Sequence, residues 1–339
     1  MNERYSRQIL FSRIGADGQE KLLKSRVLIV GCGALGAAHA ETLARAGVGF
    51  IKIVDRDFVE FSNLQRQTLF SERDAREKLP KAIAAKNRLA EINSEIETEA
   101  VVADVNFSNV ENLIGSCDLV LDGTDNFQTR YLINDACVKN NVCWIYGAAV
   151  SSYGATMTIQ PNRTPCLRCI FEEMPNAGTS PTCDTAGIIQ PIINSISAVQ
   201  TTEALKILTG NFDFLHKSLM QIDVWQNDWR KIKLGAPNAE CETCARKNFE
   251  FLDAESSEFS AVLCGRDAIQ IVPSKPANLD LPALAAKFKN IGAVKQNEYL
   301  LRLAVGEFEL TVFRDARAII RGTDDIITAR SLYSKYIGS

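Results

Sequence analysis

Two pairs of cysteines carry the plainest chemistry in this chain. Cys166-Leu167-Arg168-Cys169 and Cys241-Glu242-Thr243-Cys244 are CxxC knuckles, each able to present both thiolates to one tetrahedral ion. Together they predict a structural zinc site ligated by Cys166, Cys169, Cys241 and Cys244. The span between the knuckles is longer than in a compact zinc ribbon, so the ion would tie two distant chain segments together. Four sulfur ligands leave no open coordination position, and the expected contribution of the metal is stability, not catalysis. A thioredoxin-like redox pair fits badly, since neither knuckle opens a helix in a βαβ context.

A second cluster of residues suits a nucleotide. Gly31-Cys32-Gly33-Ala34-Leu35-Gly36 follows the apolar run Arg26 to Val30 directly, which reads as a buried strand turning into a helix. Glycines there let the backbone approach a phosphate, and the helix N-terminus offers unpaired amides with a partial positive charge. Asp55 ends the next strand, about 20 residues beyond the loop, where a carboxylate can accept hydrogen bonds from ribose hydroxyls. These features fit NAD and ATP equally well. The stretch Asp57 to Gln67 then places polar and cationic groups just outside the carboxyl ends of the strands, and Lys81 follows Pro80 at a helix start. A triphosphate needs such cations and a nicotinamide does not: Arg66 suits bidentate phosphate oxygens, and Lys81 is a mobile point charge. Asp125 and Asn126, in Asp122-Gly123-Thr124-Asp125-Asn126, also face this crevice, and Asp125 is a magnesium ligand candidate. Taken singly, Arg66 or Lys81 reads as a solvated surface charge, and Asp125 or Asn126 as the cap of the following helix.

Cys183 lies in the small-residue loop Ser180 to Gly187 and is a nucleophile candidate, although a loop cysteine is more often inert. Only two histidines exist, His39 and His216, and neither sits in a motif.

The elements that must hold these residues alternate. Strands are expected at Arg26 to Val30, Phe50 to Val54, Glu97 to Val102, Leu119 to Leu121 and Val142 to Tyr146. Helices are expected at Ala37 to Ala46, Lys81 to Ile92, Asn106 to Ile114 and Asn126 to Lys139. That alternation predicts an α/β fold with a doubly wound, mostly parallel, Rossmann-like sheet. Strand-like segments at Tyr153 to Gln160 and Ser218 to Val224, around a long helix near Ile192 to Leu208, continue it with antiparallel strands. The polar, acidic stretch 248–258 reads as a linker between residues 1–247 and a small α+β domain, 259–339, with a helix at Leu279 to Phe288 and strands at Glu298 to Val305 and Glu307 to Phe313.

The 339 residues allow two unequal domains, and 46% hydrophobic with 23% charged residues is the composition of an ordinary globular protein. A net charge of -3 gives no support for nucleic-acid binding. The N-terminus has no apolar run behind its charges, and no apolar stretch reaches membrane-spanning length, so a cytoplasmic protein without membrane contact is expected.

In sequence the chain strongly resembles the ubiquitin-activating-enzyme-like family of ThiF and MoeB, the adenylyltransferases of sulfur-carrier proteins. The match covers roughly residues 1 to 247 and rests on Arg4-Tyr5-Ser6-Arg7-Gln8, the loop Gly31 to Gly36, Asp55 through Gln67, Pro80-Lys81, Thr124-Asp125-Asn126, both CxxC pairs and Thr182 to Gly187. The tail, with Val262 to Arg266 and Asp315 to Thr323, looks like the longer form of ThiF, which serves thiamine thiazole synthesis. MoeB-like activators of molybdopterin synthase usually stop near the second CxxC. The resemblance implies that MgATP binds at Gly33, Ala34, Asp55, Asn63, Arg66 and Lys81 with Asp125 holding magnesium, and that Arg7 reaches the phosphates of the partner subunit in a homodimer. It further implies that the C-terminal Gly-Gly carboxylate of a small ubiquitin-like carrier attacks the α-phosphate. Cys183 occupies the place of the cysteine that in ThiF joins the carrier in an acyl disulfide. The sulfur donor, the work of the tail and the role of Cys264 are not legible. Rival readings are a NAD-dependent dehydrogenase and a non-catalytic scaffold that retains only the nucleotide fold.

Overall fold

Strand β1 (Arg26–Val30) is apolar on both faces, the pattern of a strand buried in the middle of a parallel sheet. Val27 and Ile29 point into one core with Leu43, Leu89 and Ile207. Leu28 and Val30 point into the opposite core with Tyr131, Ile133 and Trp144. On one side β1 pairs in parallel with β2 (Phe50–Asp55), and β2 with β3 (Glu97–Val102). On the other it pairs with β4 (Leu119–Asp122), and β4 with β5 (Cys143–Val150). Antiparallel strands β6 (Tyr153–Ile159), β7 (Ser218–Asp223) and β8 (Asp228–Lys233) extend the sheet, giving the order β3-β2-β1-β4-β5-β6-β7-β8 among the described residues. Helices Gly15–Lys24, Ala34–Ala46, Lys81–Ile92 and Gln190–Thr209 supply the first core, and Val110–Ile114 and Phe127–Lys139 the second, so the sheet is doubly wound.

The computed structural model describes residues 3–174, 186–253, 260–263, 268–272 and 278–337. The chain divides into two units, Met1–Ser256 and Ser257–Ser339. In the second, β9 (Ser260–Leu263), β10 (Ala268–Ile271), β11 (Ala293–Gln296), β12 (Leu300–Val305), β13 (Phe308–Phe313) and β14 (Ala318–Arg321) form an antiparallel sheet in the order β11-β12-β13-β14-β10-β9. Helices Leu281–Phe288 and Ile326–Tyr336 pack on one of its faces through Phe288, Ala329 and Tyr333. No helix among the described residues is long and apolar enough to cross a membrane.

The expected strands up to β7 all form. Strand β8 is an addition to the expected strands: Asp228-Trp229-Arg230-Lys231-Ile232-Lys233 is exposed along nearly its whole length and shows no apolar alternation. The helix expected over Asn106 to Ile114 starts only at Val110, since the Asn106 side chain accepts the Ser108 amide at 3.0 Å and makes a local turn instead. Within the acidic stretch after Lys247, Phe249, Phe251 and Leu252 pack on the second core, with the Phe251 and Tyr131 rings 5.0 Å apart.

Between β1 and β4 the strand order reverses, and the loops leaving their carboxyl ends meet there. The Gly31 amide donates to the Val54 carbonyl and the Gly123 amide to the Val30 carbonyl, each at 2.8 Å. Gly31 takes φ +84°, and a methyl built at Gly36 would lie 1.9 Å from the Gly31 oxygen. A methyl at Gly123 would lie 2.5 Å from that same oxygen. Backbone therefore packs directly on backbone at the floor of the crevice. Gly36→Ala is expected to destabilise the protein by about 1–3 kcal/mol, read as a lower thermal midpoint. Gly235→Ala, with nothing within 4 Å, is the control and should change little.

Candidate functional site

The helix Ala34–Ala46 begins from Gly33 with no side-chain cap among the described residues, so its first amides lie open at the glycine loop. A methyl at Gly33 would meet nothing closer than 3.8 Å, which leaves the loop open to a close-lying phosphate. Asp55, only 8% exposed, accepts the Cys32 and Asp57 amides, each at 2.6 Å. Burial pushes its pKa up, opposed by Lys81 and by those two amides. One carboxylate thus fixes the glycine loop from the side as well as facing the crevice.

Lys81, 4% exposed, is the first residue of its helix and lies 3.2 Å from the Asp57 carboxylate. Arg56 pairs with Asp104 at 2.9 Å. Burial opposes its charge, but Asp104, Asp57 and Asp125 outweigh burial and raise its pKa. Lys81, Asp55, Asp57, Arg56 and Asp125 therefore make one electrostatic cluster across the ends of β2 and β4. Arg66 is half-buried, its guanidinium donating to the Ser62 carbonyl at 2.9 Å, and no hydrogen bond or ion pair among the described residues joins it to this cluster. Asn63 is buried and structural in part, its Oδ1 accepting the Glu60 amide at 3.0 Å. Asn126 caps the Phe127–Lys139 helix by accepting the Thr129 amide at 2.9 Å, while Asp125 is exposed. Arg7 is exposed and has no hydrogen-bond or ion-pair partner among the described residues. Cys183 and Cys264 lie outside the described residues.

Four buried polar residues behind the crevice were not singled out from the sequence for any role there. Asp122, with no exposed surface, accepts the Thr124 amide at 2.9 Å, the Thr124 hydroxyl at 2.6 Å, the Gly147 amide at 3.3 Å and Arg130 Nε at 3.1 Å. Arg130 Nη2 also donates to the Thr124 and Gly147 carbonyls at 2.7 and 3.2 Å. Gln200 donates to the Asp122 and Ile145 carbonyls, both at 3.3 Å, and its Oε1 lies 2.9 Å from His39 Nε2. A methyl at Gly147 would sit 2.4 Å from the Gln200 amide, so that glycine is what admits the glutamine. Burial pushes the His39 imidazole down to about 4, leaving it neutral. Isolated polar residues inside helices, or at the end of a strand as Asp122 is, give no sequence signal, and only a polar type at a core-facing position could have pointed to them.

The four predicted metal ligands do converge. Cys166 lies 3.8 Å from Cys169 and 3.6 Å from Cys241, Cys169 lies 3.4 Å from Cys244, and all four sulfurs fall within 4.8 Å of one another. Tetrahedral zinc with bonds near 2.3 Å requires sulfurs about 3.8 Å apart, so the donor set fits that ion. Each knuckle is held by the same helix: Asn134 Oδ1 accepts the Leu167 amide at 2.9 Å, and Asp135 accepts the Thr243 hydroxyl at 2.7 Å.

The ThiF family model matches residues 5–243. The sulfur carrier protein ThiS adenylyltransferase of Bacillus subtilis is 45% identical over the full length of both chains. Its counterpart of the same description from Escherichia coli is 37% identical over 72% of this chain and 96% of its own. The SAMP-activating enzyme E1 of Haloferax volcanii is 36% identical over 74% of this chain and 92% of its own. The crystal structure of E. coli MccB with ATP aligns with a TM-score of 0.63 at 24% identity, covering 72% of this chain and 74% of that one, a likeness of fold.

Cys241→Ser is expected to lower both the zinc content, measured by elemental analysis, and the thermal midpoint. A second expectation concerns acid. Unfolded histidine titrates near 6.5 and folded His39 near 4, so unfolding takes up a proton between those values. The contribution of His39 is intact above pH 6.5 and is lost as pH falls toward 4, on the order of 3 kcal/mol. His39→Gln should flatten that part of the stability profile in denaturant melts.

Proposed function

The chain belongs to the ThiF family, and we infer that it uses ATP to adenylate the C-terminal glycine carboxylate of a ThiS-like sulfur-carrier protein. The observation that carries this reading is the likeness to the B. subtilis ThiS adenylyltransferase along the whole chain, tail included. A thiamine-pathway carrier follows from it in preference to a molybdopterin-synthase carrier. The fold-level rival, a NAD-dependent dehydrogenase, does not account for the charged cluster beyond Asp55.

In this reading the nucleotide lies over Gly31, Gly33, Ala34 and Gly36, with Asp55 on the ribose and Asn63, Arg66, Lys81 and Asn126 toward the polyphosphate. Asp125 would hold magnesium, which supplies charge neutralisation for the phosphate oxygens when bound. A carboxylate oxygen of the carrier forms the bond to the α-phosphorus, and the bond to pyrophosphate breaks. No base is required, because a terminal carboxylate is already ionised at neutral pH. That suits a crevice whose first helix carries a histidine, His39, that is neutral and bonded to Gln200. Catalysis then consists of positioning and of cationic stabilisation of phosphate charge. The unpartnered, exposed Arg7 suits delivery to a second protomer of a homodimer. We assign the chemistry and the zinc site to the first unit, whose core takes in Phe249, Phe251 and Leu252 of the stretch read as a linker, and the reduced thiolates to a cytoplasmic setting. Cys183 would act after adenylation, in sulfur transfer.

Mass spectrometry of a ThiS-like carrier incubated with the protein and MgATP should reveal the acyl-adenylate; a molybdopterin-type carrier is the comparison. Turnover without any carrier would contradict the reading. Arg66→Ala and Lys81→Ala should each lower kcat about a hundred- to thousandfold. Cys183→Ser should leave adenylate formation intact and impair sulfur transfer, measured as carrier thiocarboxylate.

A further inference from the structure

Asp125 has little of its own to hold it. Its carboxylate is exposed, and Asn126 Nδ2 approaches it at 3.4 Å. The residues on either side are fixed instead. Thr124 is bound through amide and hydroxyl to one oxygen of Asp122, and its carbonyl accepts Arg130 Nη2 at 2.7 Å. Asn126 caps the helix that carries Arg130 one turn later. Arg130 closes the circuit by binding the other Asp122 oxygen and the Gly147 carbonyl on β5. The loop bearing Asp125 is thereby strapped to two strands by one guanidinium. Asp122 and Arg130 are buried behind the crevice wall, so the pair acts through the loop. The planar fork matters: one Nε and one Nη2 serve three acceptors, one on each of two strands and one on the loop, and a lysine ammonium offers no such fixed geometry.

We propose that Arg130 is a positioning residue that, through Asp122 and Thr124, sets the Asp125 carboxylate for the magnesium of the bound nucleotide. This rests on the reading of Asp125 as the magnesium ligand. Groups that orient a metal ligand typically govern metal affinity about ten- to a hundredfold when removed.

The test measures binding and needs no carrier. Affinity for an ATP analogue with a methylene bridge between the α- and β-phosphorus is titrated calorimetrically with and without magnesium, and the ratio is the magnesium gain. Asp125→Ala comes first. It should abolish the gain, and a gain that survives it overturns the magnesium reading together with the proposal. Given that loss, Arg130→Lys should cut the gain about tenfold with little change in magnesium-free affinity, and should add nothing in the Asp125→Ala background. A wild-type gain in folded Arg130→Lys, with only a lower melting temperature, overturns the proposal and leaves the Asp125 reading standing. Where Arg130→Lys does not fold by circular dichroism, Thr124→Val, which removes the hydroxyl bond to Asp122, decides in its place. It should reduce the gain about threefold, and an unchanged gain overturns the proposal.

Discussion

A carboxylate sealed from solvent at the end of a central strand is the constraint around which this molecule is arranged. Asp122 could not remain there without partners, because an unpaired buried charge costs several kcal/mol. Arg130 supplies the opposite charge, and Thr124 and Gly147 supply the remaining donors. Satisfying that single group fixes the turn after β4, the start of the Phe127–Lys139 helix and the entry of the backbone at Gly147. Gln200 then reaches the Asp122 carbonyl from the Gln190–Thr209 helix, which brings the opposite layer of the fold into the same network.

The Phe127–Lys139 helix links the two sites. Its cap, Asn126, adjoins Asp125; its first turn carries Arg130; and Asn134 and Asp135, one turn further along, hold one cysteine knuckle each. A metal joining the knuckles would draw the segment after β6 to the segment after β8. It would thus staple the antiparallel extension of the sheet onto the helix that frames the crevice. Four thiolates leave such an ion no open position for catalysis, yet its bond energy would bear on the helix that carries Arg130.

Within the crevice the cations do not stand isolated. Lys81 lies against Asp57 and near Asp55, and Arg56 against Asp104. A buried ammonium without a carboxylate would give up its proton or its place. The Asp57 carboxylate gives the buried Lys81 ammonium an opposite charge at 3.2 Å. The same pairing holds Asp57 beside the mouth, and the Asp57 amide in turn binds Asp55.

Much of this was legible in the chain. The strand-glycine-helix-strand-Asp series is written as local spacing, because backbone geometry at Gly31 and Gly36 admits no side chain. The CxxC pairs are likewise local, since each knuckle must turn two thiolates together. Alternating apolar runs gave the doubly wound sheet, because a strand buried on both faces has few other ways to look. Tertiary structure decided the rest. Sequence spacing offered Asn126 both as ligand and as cap, and the folded chain gives its Oδ1 to the Thr129 amide as a cap. It gave no hint that Asp122, Arg130, Gln200 and His39 form one network, because residues up to 161 positions apart meet there only when three layers have packed. Strand β8 was silent for the opposite reason: exposed along nearly all its length, it owes its conformation to pairing with β7 and carries no pattern of its own.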